Sequence, residues 1–220
     1  MTSRTSKAKP DSTQPTAAGA NRLRIIGGRW RGTRLQFPAV AAIRPTPDRV
    51  RETLFNWLQQ AVVGARCLDL FAGSGALGLE ALSRGAKCAV FVDESPQVAR
   101  YLRETLARLQ SIDGEVHSGD ARAYLAVLKK EAQPFDVVFL DPPFAATESS
   151  SLLSDLLVEL ERPGCLSHDA WIYLECPAGL GSPSTWTYWP THWQLHRSKQ
   201  AGQVGYHLAR RTTVVANTSA

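Results

Sequence analysis

Apolar and polar positions change their period several times along this chain of 220 residues. Residues 1–20 show no apolar periodicity; Ser, Thr, Ala, Pro and Lys dominate, and a disordered basic tail is expected there. Residues 22–37 alternate around Gly27-Gly28 and Gly32, which predicts two short strands in an N-terminal hairpin arm spanning about 21–45. Leu54, Trp57 and Leu58 then share one face of a helix that Thr46 can cap, with Pro47 at its first position and an end near Ala61. From residue 66 short apolar runs alternate with helical patterns. Strands are predicted near 67–71, 87–92, 114–118, 135–140 and 170–175, and helices near 76–84, 96–109, 120–130 and 148–161. Such alternation specifies an α/β domain with a parallel, doubly wound sheet, here over 46–215. From about 185 the pattern reads as strands and turns, with a terminal hairpin of 186–196 and 203–211. No internal repeat is visible.

Composition narrows this picture. Hydrophobic residues make up 44%, enough for a sizeable core, and no apolar run approaches the ~18 residues of a membrane helix. The N-terminal Met-Thr-Ser-Arg-Thr-Ser-Lys lacks the apolar stretch of a signal peptide. Cys67, Cys88, Cys165 and Cys176 form no C-x-x-C pair, so a reducing cytoplasm is expected. His192 and His196 lie in a strand-like segment without further ligands, and no metal site is expected. The net charge of +5 is unevenly placed: residues 1–58 carry eleven Lys/Arg against three acids. A basic front on a near-neutral body suits a nucleic-acid clamp, and equally a solvated cationic face. The triplet Arg29-Trp30-Arg31 favours the clamp, because Trp can stack on a base while Arg pairs with phosphate.

The chemistry concentrates where predicted strands end. The strand ending at Asp69 runs into Ala72-Gly73-Ser74-Gly75-Ala76-Leu77-Gly78 and then a helix, a G-x-G-x-x-G loop in strand–turn–helix context. The next strand ends at Asp93, about 20 residues past the glycines, where an acid suits a ribose diol. Asp69 discriminates between nucleotide cofactors. A carboxylate beside the loop repels a pyrophosphate but attracts the ammonium and sulfonium of S-adenosylmethionine; it can also simply cap loop N–H groups. Farther on, Phe135 to Leu140 reads as a buried strand followed by Asp141-Pro142-Pro143-Phe144. Two prolines stiffen this segment and remove two donors. What remains is the Asp141 carboxylate, the Pro142 carbonyl and an aromatic ring, a set suited to a planar group bearing NH2. Asp120 follows Gly119 at the same predicted edge and can cap the helix after it.

Four segments resemble the bacterial RsmD-type methyltransferases, which modify the exocyclic N2 of a guanine in small-subunit ribosomal RNA. They are Arg24-Ile25-Ile26-Gly27-Gly28 with Arg31-Gly32; Ile43-Arg44-Pro45-Thr46 through Trp57; Asp69 to Gly75 together with Asp141 to Phe144; and Lys199 to Tyr206. The Arg-Pro-Thr stretch is the specific part. Pro47 stands where a second threonine or similar residue is expected.

The resemblance, over residues 22 to 210, implies a Rossmann-like class I S-adenosylmethionine-dependent fold. Its seven-stranded, mostly parallel sheet would end in an antiparallel C-terminal hairpin. It also implies a cofactor set of Asp69, Phe71, Gly73, Gly75, Asp93, Glu94, Asp120 and Ala121, with Asp120 meeting the adenine amino group. Asp141 and Pro142 would accept the N–H groups of the target amine while Phe144 stacks on the base. Arg29, Trp30, Arg31, Arg44, Thr46, Arg49, Arg51 and Lys199 would meet RNA. The implied partner is 16S ribosomal RNA in an assembled or partly assembled small subunit; a monomer is the default expectation for the chain itself. Two other readings stay open: an amino-group methyltransferase acting on adenine or protein glutamine, and a noncatalytic ribosome-assembly module. A dehydrogenase is more remote.

Overall fold

The computed structural model describes residues 21–38, 45–128, 133–143 and 151–212. The expected tail at 1–20, together with Arg44 and Phe144, lies outside them.

Seven strands form one sheet in the order β5-β4-β3-β6-β7-β9-β8. These are β3 (Arg66–Asp69), β4 (Cys88–Asp93), β5 (Gly114–Ser118), β6 (Phe135–Leu140), β7 (Leu166–Pro177), β8 (Trp193–Ala201) and β9 (Val204–Arg211). β3 to β7 pair in parallel, β9 runs antiparallel to β7, and β8 closes the edge against β9. This is the Rossmann-like class I architecture with its antiparallel terminal hairpin. The hairpin's first strand begins at Trp193, later than the predicted 186. Residues 183–185 form a 3₁₀ turn instead, and Trp186 and Trp189 pack edge-on against each other. Tryptophans with strand-like propensity were recruited to cover a sheet face, so their pattern misplaced the strand.

Among the described residues, five helices cover the two faces: α1 (Asp48–Trp57), α2 (Ala76–Ser83), α3 (Pro96–Arg108), α4 (Ala121–Val127) and α5 (Leu152–Leu160). Because side chains alternate across a strand, Cys67, Phe91, Val137, Phe139 and Tyr173 face α1 to α3. Leu68, Val90, Val138, Leu140 and Leu174 face α4 and α5. α2 is apolar nearly all round, and all eight of its residues are buried. Gly78 is needed there: a Cβ would lie 2.3 Å from the Phe91 ring. α1 starts at Asp48, with Pro47 at the capping position and no side-chain cap. The Thr46 side chain is thus free for another partner, contrary to the capping role expected of it.

The N-terminal arm is the two-stranded hairpin β1 (Asn21–Arg24) and β2 (Arg34–Phe37). Leu23, Ile25, Leu35 and Phe37 turn inward and join the core on the α1–α3 face. Glu80 of α2 fixes the arm, accepting the N–H of Ile26 at 2.9 Å and of Gly27 at 2.7 Å. The Ser83 hydroxyl donates to the Gly27 carbonyl and accepts the Trp30 N–H. Gly28, at φ +73°, lies so close to α2 that a Cβ would sit 1.8 Å from the Ser83 carbonyl oxygen.

Candidate active site

The carboxyl edge of the sheet gathers Asp69, Asp93, Asp141 and Glu175, with Asp120 just after β5. Asp69 pairs in register with Phe91 and Phe139, so Asp93 and Asp141 sit two positions farther out on the flanking strands, about 7 Å beyond it. Glu175 follows Leu174, whose register partner is Leu140, and is therefore level with Asp141 on the next strand. In-register neighbours on adjacent strands are about 4.8 Å apart.

Two of these acids hold the glycine loop. Asp69 is buried and accepts the Gly78 N–H at 3.0 Å. Burial pushes its carboxyl up to about 7; the negative charges of Asp141 and Asp93 add to the shift, and the Gly78 and Phe71 N–H groups oppose it. Asp93 accepts the Gly73 N–H at 2.8 Å and the Ser95 N–H at 2.9 Å, one on each oxygen. A further lone pair on each oxygen remains for a ligand. Gly75, at φ +76°, is required by packing as much as by any ligand, since a Cβ would meet Leu102 and Leu79. Asp120 caps α4 by accepting the Ala123 N–H at 2.9 Å, with Ala121 buried behind it. Phe71 is half-buried against the α4–α5 face and Glu94 is exposed. These acids around a glycine loop fit a cofactor that is itself cationic.

Asp141 forms the other half of the site. Its carboxylate is half-buried and accepts the Thr46 hydroxyl at 3.2 Å. Burial pushes it up to about 6, against the pull of that hydrogen bond. Pro142 is buried beside it. Glu175 is buried and accepts the Tyr173 hydroxyl at 2.6 Å. Burial pushes it up to about 8, with the Asp141 charge as the next contribution. Sequence reading overlooked Glu175, although the signal was present: it is a further acid at a predicted strand's carboxyl end.

One register row crosses the sheet at this level. Lys199 on β8 pairs with Tyr206 on β9, which pairs with Glu175 on β7, level with Asp141. Three strand spacings place Lys199 about 14 Å from Asp141 along the backbone. The Lys199 ammonium lies 5.9 Å from the centre of the Trp57 ring, which stacks on Tyr206. Lys199 is thus brought to the carboxyl edge.

The arm residues are not. Arg29 pairs with Asp113, just before β5, at 3.2 Å, and Trp30 bonds to the last residue of α2. Both contacts lie at the amino edge, opposite Asp141. Arg29 also stacks on Trp30, its guanidinium 4.3 Å from the ring centre, and Arg31 is exposed beside them. Arg22, Arg34 and Arg108 line an open groove of about 470 Å³ on the arm.

Arg51 corrects the phosphate role expected of it. It is 1% exposed, and its donors go to Asp48, Glu80 and the carbonyls of Thr46 and Arg24. α1 turns it toward the buried Glu80, away from any RNA. Arg49, two residues earlier, is exposed.

A parallel sheet with an antiparallel terminal hairpin, a glycine loop clamped by strand-end acids and an Asp-Pro-Pro box define a class I methyltransferase. The chain matches the family described as Conserved hypothetical protein 95 over residues 23–210. It is 44% identical over 198 residues to Ribosomal RNA small subunit methyltransferase D of Escherichia coli (strain K12), covering 90% of this chain and 94% of that protein. The protein of the same name from Haemophilus influenzae is 41% identical, with 88% and 95% covered. A solved Escherichia coli structure, the methyltransferase yhhF, superposes with a TM-score of 0.76 at 44% identity, covering 87% of this chain and 99% of that one. The chain belongs to this family of ribosomal RNA methyltransferase D proteins.

Proposed function

We propose that this protein transfers a methyl group from S-adenosylmethionine to the exocyclic N2 of a guanine in small-subunit ribosomal RNA, in an assembled or partly assembled particle. The observation that carries the amine chemistry is Asp141, an acceptor held by Thr46 ahead of two prolines that offer no competing backbone donor. The RNA class rests on relatives of more than 40% identity that carry that name.

Asp69, the glycine loop, Asp93, Asp120 and Ala121 would hold the cofactor, which supplies a sulfonium-activated methyl group when bound. An aromatic exocyclic amine is a poor nucleophile because its lone pair is delocalised into the ring. The Asp141 carboxylate and the Pro142 carbonyl would accept its two N–H bonds. That favours a pyramidal nitrogen and aims the lone pair at the methyl carbon. Preorganised acceptors of this kind contribute on the order of 3 kcal/mol to a barrier. Positioning of both reactants supplies much of the rest. The base must leave any helix it occupies, so a loop or flipped nucleotide is expected. Phe144 would stack on it, and Arg44, Arg49, Lys199 and the Arg29-Trp30-Arg31 turn would hold the surrounding RNA.

The test is tritiated methyl transfer to small-subunit particles from cells lacking the protein, followed by nucleoside analysis. N2-methylguanosine at a single site is the expected product. Methylation of adenine, or of a particle protein, would replace this reading with another amine substrate. Cofactor binding without any transfer would replace it with a binding module.

A further inference from the structure

We infer that Glu175 is a positioning residue for methyl transfer, forming with Asp141 a carboxyl pair that holds one shared proton and takes up the proton released by the amine. The inference deepens the reading of Asp141 as the acceptor for a target amine and rests on it.

The geometry is that of two acids with nowhere else to go. Asp141 and Glu175 are level on neighbouring parallel strands, one residue beyond the Leu140–Leu174 register pair. The Thr46 hydroxyl reaches Asp141, and Tyr173, on the same strand and face as Glu175, donates to Glu175. The groups facing Glu175 from the packed elements are Asp141 beyond β6, Tyr173 on its own strand, Thr46 before α1 and Tyr206 on β9. Asp69 on β3 adds negative charge on the far side of Asp141. No arginine or lysine ion pair reaches either acid among the described residues. Two carboxyls on neighbouring strands with no cation between them resist ionising together, and interacting carboxyls titrate as a pair. The shifts to about 6 for Asp141 and about 8 for Glu175 agree with one proton at neutral pH, residing mainly on Glu175.

That single negative charge matches the reaction. The nitrogen–methyl bond forms as the sulfur–methyl bond of a sulfonium donor breaks, and the sulfur keeps that electron pair as a neutral thioether. The N–H bond breaks, its electrons stay on nitrogen, and the proton passes to Asp141. Before transfer the site holds one positive sulfonium and one negative pair; afterwards it holds a thioether and two neutral carboxyls. The charges of the sulfonium and the carboxyl pair together sum to zero at both ends. The second proton leaves to water when product departs.

Two measurements test this. In the wild type, the rate of methyl transfer should trace a bell between pH about 6 and about 8. Glu175→Gln should retain the acid limb and lose the alkaline one. An alkaline limb that persists unchanged in Glu175→Gln overturns the inference. The second needs no turnover. In protein carrying 13C-labelled Glu side chains, the Glu175 carboxyl, assigned by its loss in Glu175→Gln, should titrate near pH 8 and shift lower in Asp141→Asn. Titration in the ordinary carboxylate range near pH 4.5 overturns it whatever the substrate proves to be. If the carboxyl titrates as expected while no RNA amine is methylated, the pair stands and the substrate assignment falls.

Discussion

Arg51 and Glu80 form an ion pair that is buried on both sides, their side chains 1% and 0% exposed and 3.4 Å apart. Glu80 also receives Arg84 at 2.8 Å and two backbone N–H groups of the arm. The arm, α1 and α2 therefore meet on a single carboxylate. Removing one partner of a buried pair leaves the other charge without compensation. Glu80→Ala is expected to cost about 3–5 kcal/mol, read as a lower midpoint in denaturant unfolding. A loss below about 1 kcal/mol would show that water or another acceptor replaces it.

The arm's second anchor is steric. Gly28→Ala places a methyl group against the Ser83 carbonyl and forces a side chain into positive φ, whereas Gly32, at φ +85°, has nothing within 4 Å. Gly32→Ala should cost only the backbone strain, roughly 1–2 kcal/mol, and keep the arm docked. Gly28→Ala should cost more and release the arm, exposing a cleavage site near residue 30 in limited proteolysis. Equal protection of the two variants would show that the close approach relaxes easily.

Asp141→Ala should abolish turnover while S-adenosylmethionine binding, measured by calorimetry, changes less than about threefold. The carboxylate stands at the amine side of the site, and the Asp69 and Asp93 contacts to the glycine loop do not involve it. Unchanged activity would remove Asp141 from the proposed chemistry.

Stability should fall as pH rises from 6.5 to 8. Asp69, Asp141 and Glu175 have folded values of about 7, 6 and 8, above their ordinary values of 3.8, 3.8 and 4.5. The folded state thus holds protons that the unfolded chain gives up. Their contribution is complete below the ordinary values and is lost as pH climbs through the raised ones. Buried His207, lowered to about 4, acts in the opposite direction, but only below its ordinary 6.5. Melting temperatures at pH 6.5 and 8 check the sign, and Glu175→Gln should flatten the slope.

Arg29→Ala combined with Arg31→Ala is expected to weaken RNA binding and reduce the slope of log affinity against log salt by about 1–2. Arg29 already pairs with Asp113, so the smaller figure applies if that pair survives in the complex. An unaltered slope assigns the turn to the fold alone.

The alternation of strands and helices from residue 66 was legible because strands buried on both faces are continuously apolar, and because Gly73, Asp93 and Asp141 mark their ends. The N-cap at Asp120 was legible too. Three things were not. Arg51 read as an RNA contact because its partner Glu80 lies 29 residues away, on a helix apolar enough to look like plain core. The position of β8 was obscured by Trp186 and Trp189, whose burial comes from packing on a neighbouring face. The place of the Arg29–Arg31 turn depends on which end of α2 receives it, and the alternation of β1 and β2 carries no such information.

That placement sets a length scale. The arginine turn and Asp141 sit at opposite edges of a sheet whose central strand β6 has six residues, about 20 Å of extended chain. A free nucleoside can reach one edge or the other, whereas a ligand that engages both has to extend at least that far.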